Sequence, residues 1–93
     1  MVIGVITIKI YSPWVHSLKE KRMIVKSICA KTRNKFNVSI IEAEEQDIHQ
    51  IIVLGIASIA DNSSHADSTI DNVLRFVESN IEGDIINIER EYR

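Results

Sequence analysis

Residues 38–60, "VSIIEAEEQDIHQIIVLGIASIA", contain two stretches rich in β-branched residues, 38–44 and 48–60, parted by the polar "EQD". Such a pattern predicts a β-hairpin. Its surroundings decide what the hairpin belongs to. Upstream, Val2, Gly4, Ile6, Ile8 and Ile10 alternate with Ile3, Val5, Thr7 and Lys9, the period of two that marks a strand with one strongly apolar face. Pro13 ends that strand. Ser17 and Glu20 then make an S-x-x-E capping box, in which each side chain satisfies an orphan amide at a helix start. Behind it Leu18, Val25, Ile28, Cys29, Thr32 and Phe36 fall on one stripe of a helix that ends near Phe36 and Asn37.

Downstream of the hairpin, "DNSSHAD" offers Ser63 and Ser64 as caps for a second helix. Ala66, Ile70, Val73, Leu74, Val77 and Ile81 recur there at helical spacing, and Gly83 is the natural stop. "DIINIEREY" closes the chain as a strand, at an edge or paired with the first. The order is βαββαβ. At this length the right-handed crossover rule leaves few arrangements, and the expected one is the split βαβ unit of an α+β, ferredoxin-like sandwich. Residues 1–93 are expected to form a single such domain, an antiparallel four-stranded sheet with both helices on one face.

The opposite face of that sheet is then bare. Ile3, Val5, Thr7 and Lys9 belong to it, joined by Ile51 and Val53 if the register allows. An open apolar face of this kind predicts self-association, most simply as a homodimer, or a protein partner; the alternative is ordinary apolar surface. No run reaches the length of a membrane span, because Lys9 interrupts the apolar start and the later run Ile51 to Ala60 is short. No cationic segment precedes the first strand, so no signal peptide is expected. The one cysteine, Cys29, has no internal disulfide or CxxC partner, which fits a reducing cytoplasm.

Charge is polarised along the chain. Residues 1–36 carry eight Lys or Arg and one acid, a balance of +7, whereas residues 37–93 carry three Arg and twelve acids, a balance of −9. Asymmetry of this size points to a polyanionic partner for one surface. On the helical wheel Lys19, Arg22, Lys26 and Arg33 form a ladder along one flank of the apolar stripe, and Lys21, Lys31 and Lys35 line the other. Cations about one turn apart match phosphates, with the arginines able to bind bidentately, and such contacts give affinity without sequence choice. The competing reading is internal: the ladder pairs with the second helix through Asp67, Asp71, Glu78 and Glu82, or simply covers core edges with its methylenes. Base stacking on the sheet is not expected, since the first and third strands offer only Tyr11 at one end. His49 is read as a plain polar or core residue rather than a stacking one.

Catalytic signals are missing. Neither G-x-x-x-x-G-K-[ST] nor G-x-G-x-x-G occurs, and the three glycines stand apart at 4, 55 and 83. Acylphosphatases share this size and fold, yet "IYSPWVHS" holds no counterpart of their phosphate loop. His16, His49 and His65 lack metal-ligand spacing, so no metal, cofactor or small-molecule substrate is expected. Glu42, Glu44, Glu45 and Asp47 read as a solvated acidic hairpin that discourages edge pairing, with cation attraction as the alternative. Trp14 is expected to close the core beneath the first helical turn, with Val15 as a hydrophobic staple; the alternative is an interface anchor.

"HSLKEKR" opening the first helix, "KFNVSIIEAEEQD" leading into the second strand and "LGIASIA" in the third resemble the YlxP-like family of bacterial domains of unknown function (DUF503). The resemblance spans nearly the whole chain. It implies a small cytoplasmic bacterial protein of ferredoxin-like fold with no established enzyme activity, in a translation or RNA context. Where the family pattern reads Asp-x-Trp-Gln-Arg, this chain has Asp47, Ile48, His49, Gln50 and Ile51. Two functions follow as expectations: an accessory factor touching structured or ribosomal RNA through Lys19, Arg22, Lys26 and Arg33, or a homo-oligomeric protein-interaction module built on Ile3, Val5, Thr7, Ile51 and Val53.

Overall fold

A computed structural model describes all of residues 1–93. The chain runs β1 (Val2–Tyr11), α1 (Leu18–Lys35), β2 (Ser39–Glu44), β3 (Ile51–Ala60), α2 (Ser63–Asn80) and β4 (Asp84–Tyr92). One sheet of order β2-β3-β1-β4 joins all four strands, every neighbouring pair antiparallel. This is the ferredoxin-like sandwich, with the two helices packed on one face.

The alternation in β1 decides which face they cover. Ile6, Ile8 and Ile10 are fully buried and meet Ile52, Leu54 and Ile56 of β3, Val25 and Ile28 of α1, and Ile70, Val73 and Val77 of α2 in one core. Each such side chain contributes roughly 1.5–3 kcal/mol when removed from water. Gly4 lets α2 come close: a Cβ there would lie 2.7 Å from Ile70 Cδ1.

Both helix starts are capped by side chains. At α1 the Glu20 amide donates to Ser17 Oγ at 3.1 Å, and Glu20 Oε2 accepts from the His16 amide at 3.3 Å, so the capping box forms with its return bond shifted one residue outward. At α2 the cap is Asn62, whose Oδ1 accepts from the His65 amide at 2.9 Å; Ser63 and Ser64 are the first helical residues instead. Asn and Ser are equally good caps, so composition alone could not choose among them.

Two bulges shape the sheet edges. Ala43 is the extra residue between Glu42, opposite Leu54, and Glu44, opposite Val53. Ile86 is the extra one between Ile85, opposite Ile10, and Asn87, opposite Lys9. Glu42 therefore stays on the helix side of β2 while Glu44 crosses to the open side, because a bulge resets which face follows it. No helix is long and apolar enough to cross a membrane.

Candidate functional site

The outer flank of α1 carries four cations. Lys19, Arg22, Lys26 and Arg33 are all exposed along it, as the helical wheel predicts. A groove of about 340 Å³ runs between this flank and edge strand β2, lined by Arg22, Lys26 and Arg33 together with Ile41 and Glu42. Arg33 is anchored there: its Nη2 donates to the Ile40 carbonyl at 2.8 Å. That bond fixes one side of the guanidinium against the β2 backbone. Lys19, Arg22 and Lys26 make no ion pair. Cys29 lines the same groove, and burial raises its pKa, outweighing the opposing field of Arg33, so the thiol stays neutral.

The acidic helix does not neutralise this flank. Asp67 and Asp71 turn instead to β4, where Arg90 reaches Asp67 at 3.2 Å and Asp71 at 2.6 Å. Tyr92 adds a hydrogen bond from its hydroxyl to Asp67 Oδ1. Glu78 and Glu82 form no ion pair. The sheet register is the reason. Arg90 stands opposite Ile6 and Tyr92 opposite Gly4, on the face α2 covers, whereas α1 lies over the other half of the sheet.

Lys21 departs furthest from its expected place on a solvated flank. It is 1% exposed, and its Nζ donates to the carbonyls of Glu45 at 2.6 Å and Ile48 at 2.7 Å while pairing with Glu42 Oε2 at 2.8 Å. Two hydrogen bonds to carbonyls and one ion pair surround the ammonium, which is how a buried charge is tolerated, although Glu42 Oε2 itself accepts no aligned hydrogen bond. Glu45 holds φ +60, so the turn presents its carbonyl inward toward the lysine. The acidic hairpin is thus partly an internal counter-ion: Glu42 faces the core side, and only Glu44 and Asp47 of the acids are exposed. A signal existed in the sequence. Lys21 lies beside Val25 and Ile28 on the wheel, and Glu42 alternates with Ile40, so each of two buried faces carries one charge of opposite sign.

The open sheet face assembles differently from the expected patch. Ile3, Val5 and Thr7 are half-buried on it, but their partners across β3 are Ile59, Ala57 and Gly55. Ile51 pairs with Tyr11 at the sheet end, and Val53 pairs with Lys9. Val53 is only 1% exposed, flanked across the sheet by the long side chains of Lys9 and Glu44, so it offers no contact surface. The exposed apolar residues there are Ile41 and Ile59, with Tyr11 at the sheet end.

Trp14 does not close the core. It is 42% exposed, and the buried residue at that corner is Val15. Gln50 holds the segment from the other side, its Nε2 donating to the Pro13 carbonyl at 3.0 Å while its own carbonyl accepts from the Ser12 amide at 2.8 Å. His49 is half-buried in the turn before β3.

A family described as "Protein of unknown function (DUF503)" matches residues 3–90. The "Uncharacterized protein YlxP" of Bacillus subtilis (strain 168) is 41% identical over 63 residues, 68% of each chain. Among solved structures, a de novo designed protein with ferredoxin fold superposes with a TM-score of 0.63 at 20% identity, covering all of this chain and 86% of the design. At that identity the likeness bears on fold alone, whereas the family match runs from within β1 to within β4 and takes in every element between: the chain belongs to the DUF503 family.

Proposed function

We propose that this protein is a non-enzymatic cytoplasmic accessory factor that holds structured or ribosomal RNA by its phosphates along the outer flank of α1. One contrast supports this. Only Lys21, Arg90 and Arg93 are paired with an acid, although the chain carries a net excess of acids; of the eight unpaired cations, Lys19, Arg22, Lys26 and Arg33 share one flank of α1, while Lys9, Lys31, Lys35 and Arg75 lie elsewhere. Unpaired cations along one flank of a helix are suited to a phosphate backbone. Arg33, fixed by Ile40, offers a preorganised fork, while Lys19, Arg22 and Lys26 adapt. Contacts of this kind read backbone and shape rather than bases. Filter binding to a ribosomal RNA fraction tests the assignment. An Arg22→Glu, Lys26→Glu variant is expected to lose binding with its fold intact, and equal binding by both proteins would remove the flank from consideration.

A second reading, a homodimer through the open sheet face, is favoured by exposed Ile41 and Ile59 beside half-buried Ile3, Val5 and Thr7. Sedimentation of an Ile59→Lys variant separates the two. Loss of a dimer with RNA binding retained assigns the sheet face to self-association alone.

A further inference from the structure

A recess lined mainly by apolar side chains lies apart from the basic groove. It opens between the start of α1 and the end of α2, about 400 Å³ in volume, with Trp14, Met23, Ile24, Ile28 and Ile81 as its apolar lining and Glu20 and Glu82 as its charged residues. Neither acid is engaged in an ion pair. α2 also ends here, Asn80 lining the recess, with no basic residue in its last turn to offset the partial negative charge of a helix C-terminus. Every charged side chain lining the recess is therefore acidic, and the helix end adds to the same sign. An indole face beside two carboxylates that lack a cationic partner suits a cation carried on an apolar body, although Glu20 also accepts from the His16 amide.

We propose that this recess receives a segment of a partner protein in which an arginine or lysine stands beside a large apolar residue. The openness of the walls selects a polypeptide over a small molecule. Trp14 is 42% and Met23 65% exposed, so the lining continues outward as surface, whereas pockets for small ligands cover most of what they bind. An exposed methionine beside a tryptophan is the adaptable, anchor-bearing kind of surface that protein partners use. The recess shares no lining residue with the groove on the α1 flank proposed for RNA, although Met23 stands one turn beyond Lys19. The two surfaces carry opposite charge.

Trp14 is the single tryptophan of the chain, so its emission reports occupancy directly. The test titrates the protein with the peptide acetyl-Leu-Arg-Leu-Arg-Leu-amide, its glutamate twin acetyl-Leu-Glu-Leu-Glu-Leu-amide, and arginine amide. A saturable change with the arginine peptide and none with the twin is expected. Binding is expected to weaken about tenfold or more in Glu20→Gln, Glu82→Gln, and likewise in Met23→Lys, from loss of charge complementarity. Glutamine is an accepted capping-box residue and Met23 is exposed, so both variants keep the fold. No response up to about 1 mM, the weak end of specific affinity, overturns the proposal. So does an equal response to the glutamate twin, or undiminished binding by both variants. Arginine amide binding as tightly as the peptide overturns the assignment to a polypeptide.

Discussion

Lys21 Nζ lies 2.8 Å from Glu42 Oε2, both side chains withdrawn from solvent between α1 and the β2–β3 hairpin. The same ammonium closes the turn by donating to the Glu45 and Ile48 carbonyls. The helix that bears the basic flank is thereby fastened to the hairpin beside it.

Replacing one member of such a cluster strands the others. Lys21→Met leaves the Glu42 carboxylate and two carbonyls without their donor, and a cost of about 3–5 kcal/mol is expected, as for other broken buried pairs. Glu42→Gln retains an acceptor and should cost less, about 1–3 kcal/mol. Urea unfolding of the two variants checks the order. A Lys21→Met loss below about 1 kcal/mol, the scale of an exposed pair, would mean the cluster does not hold the hairpin.

Gly83 joins α2 to β4 at φ +155, and an added Cβ would meet Ile10 Cγ2 and Ser12 Oγ, each at 2.6 Å. Ser12 Oγ in turn donates to the Glu82 carbonyl at 2.8 Å, tying the end of β1 to this corner. Gly83→Ala is therefore expected to destabilise by about 1–3 kcal/mol through backbone strain and overpacking. Thermal unfolding measures it, and an unchanged Tm would contradict the tight corner.

Tyr92 has its pKa raised, first by the hydrogen bond its hydroxyl donates to Asp67, then by burial, against a smaller opposing effect of Arg90. A pKa higher in the folded than in the unfolded chain makes the contribution to stability complete below the ordinary tyrosine range. It is lost as pH rises through the folded value. The share of the β4–α2 attachment that Tyr92 contributes should accordingly be lost in alkali. Following the Tyr92 ring signal by NMR, Asp67→Asn is expected to bring its titration back toward the ordinary range. An unchanged titration would show that the hydrogen bond does not set it.

The six elements were legible because each carries its own period: two in β1, about 3.6 in both helices, and a polar break in the hairpin. The capping box was legible for the same reason, since Ser17 and Glu20 act within one turn. What resisted was tertiary. Lys21 reads as a surface lysine until β2 is known to bring Glu42 opposite it, and Asp67 and Asp71 read as neighbours of the basic helix until the register sets Arg90 beside them. Val53 belongs to the open face by parity, yet its cross-strand neighbours Lys9 and Glu44 close over it, which depends on a bulge at Ala43 that no local pattern announces. Trp14 follows a proline and precedes a cap, and nothing nearby in sequence indicates that Val15 rather than Trp14 fills the corner.

The central claim is that the free cations of α1 meet phosphates. The most direct measurement is the salt dependence of binding to ribosomal RNA, for wild type and for Arg22→Gln, Lys26→Gln, which removes two charges without adding any. With four phosphate contacts the log–log slope is expected near −3, and about 1.5 units shallower in the variant. Equal slopes, or RNA binding absent even at low salt, would contradict it.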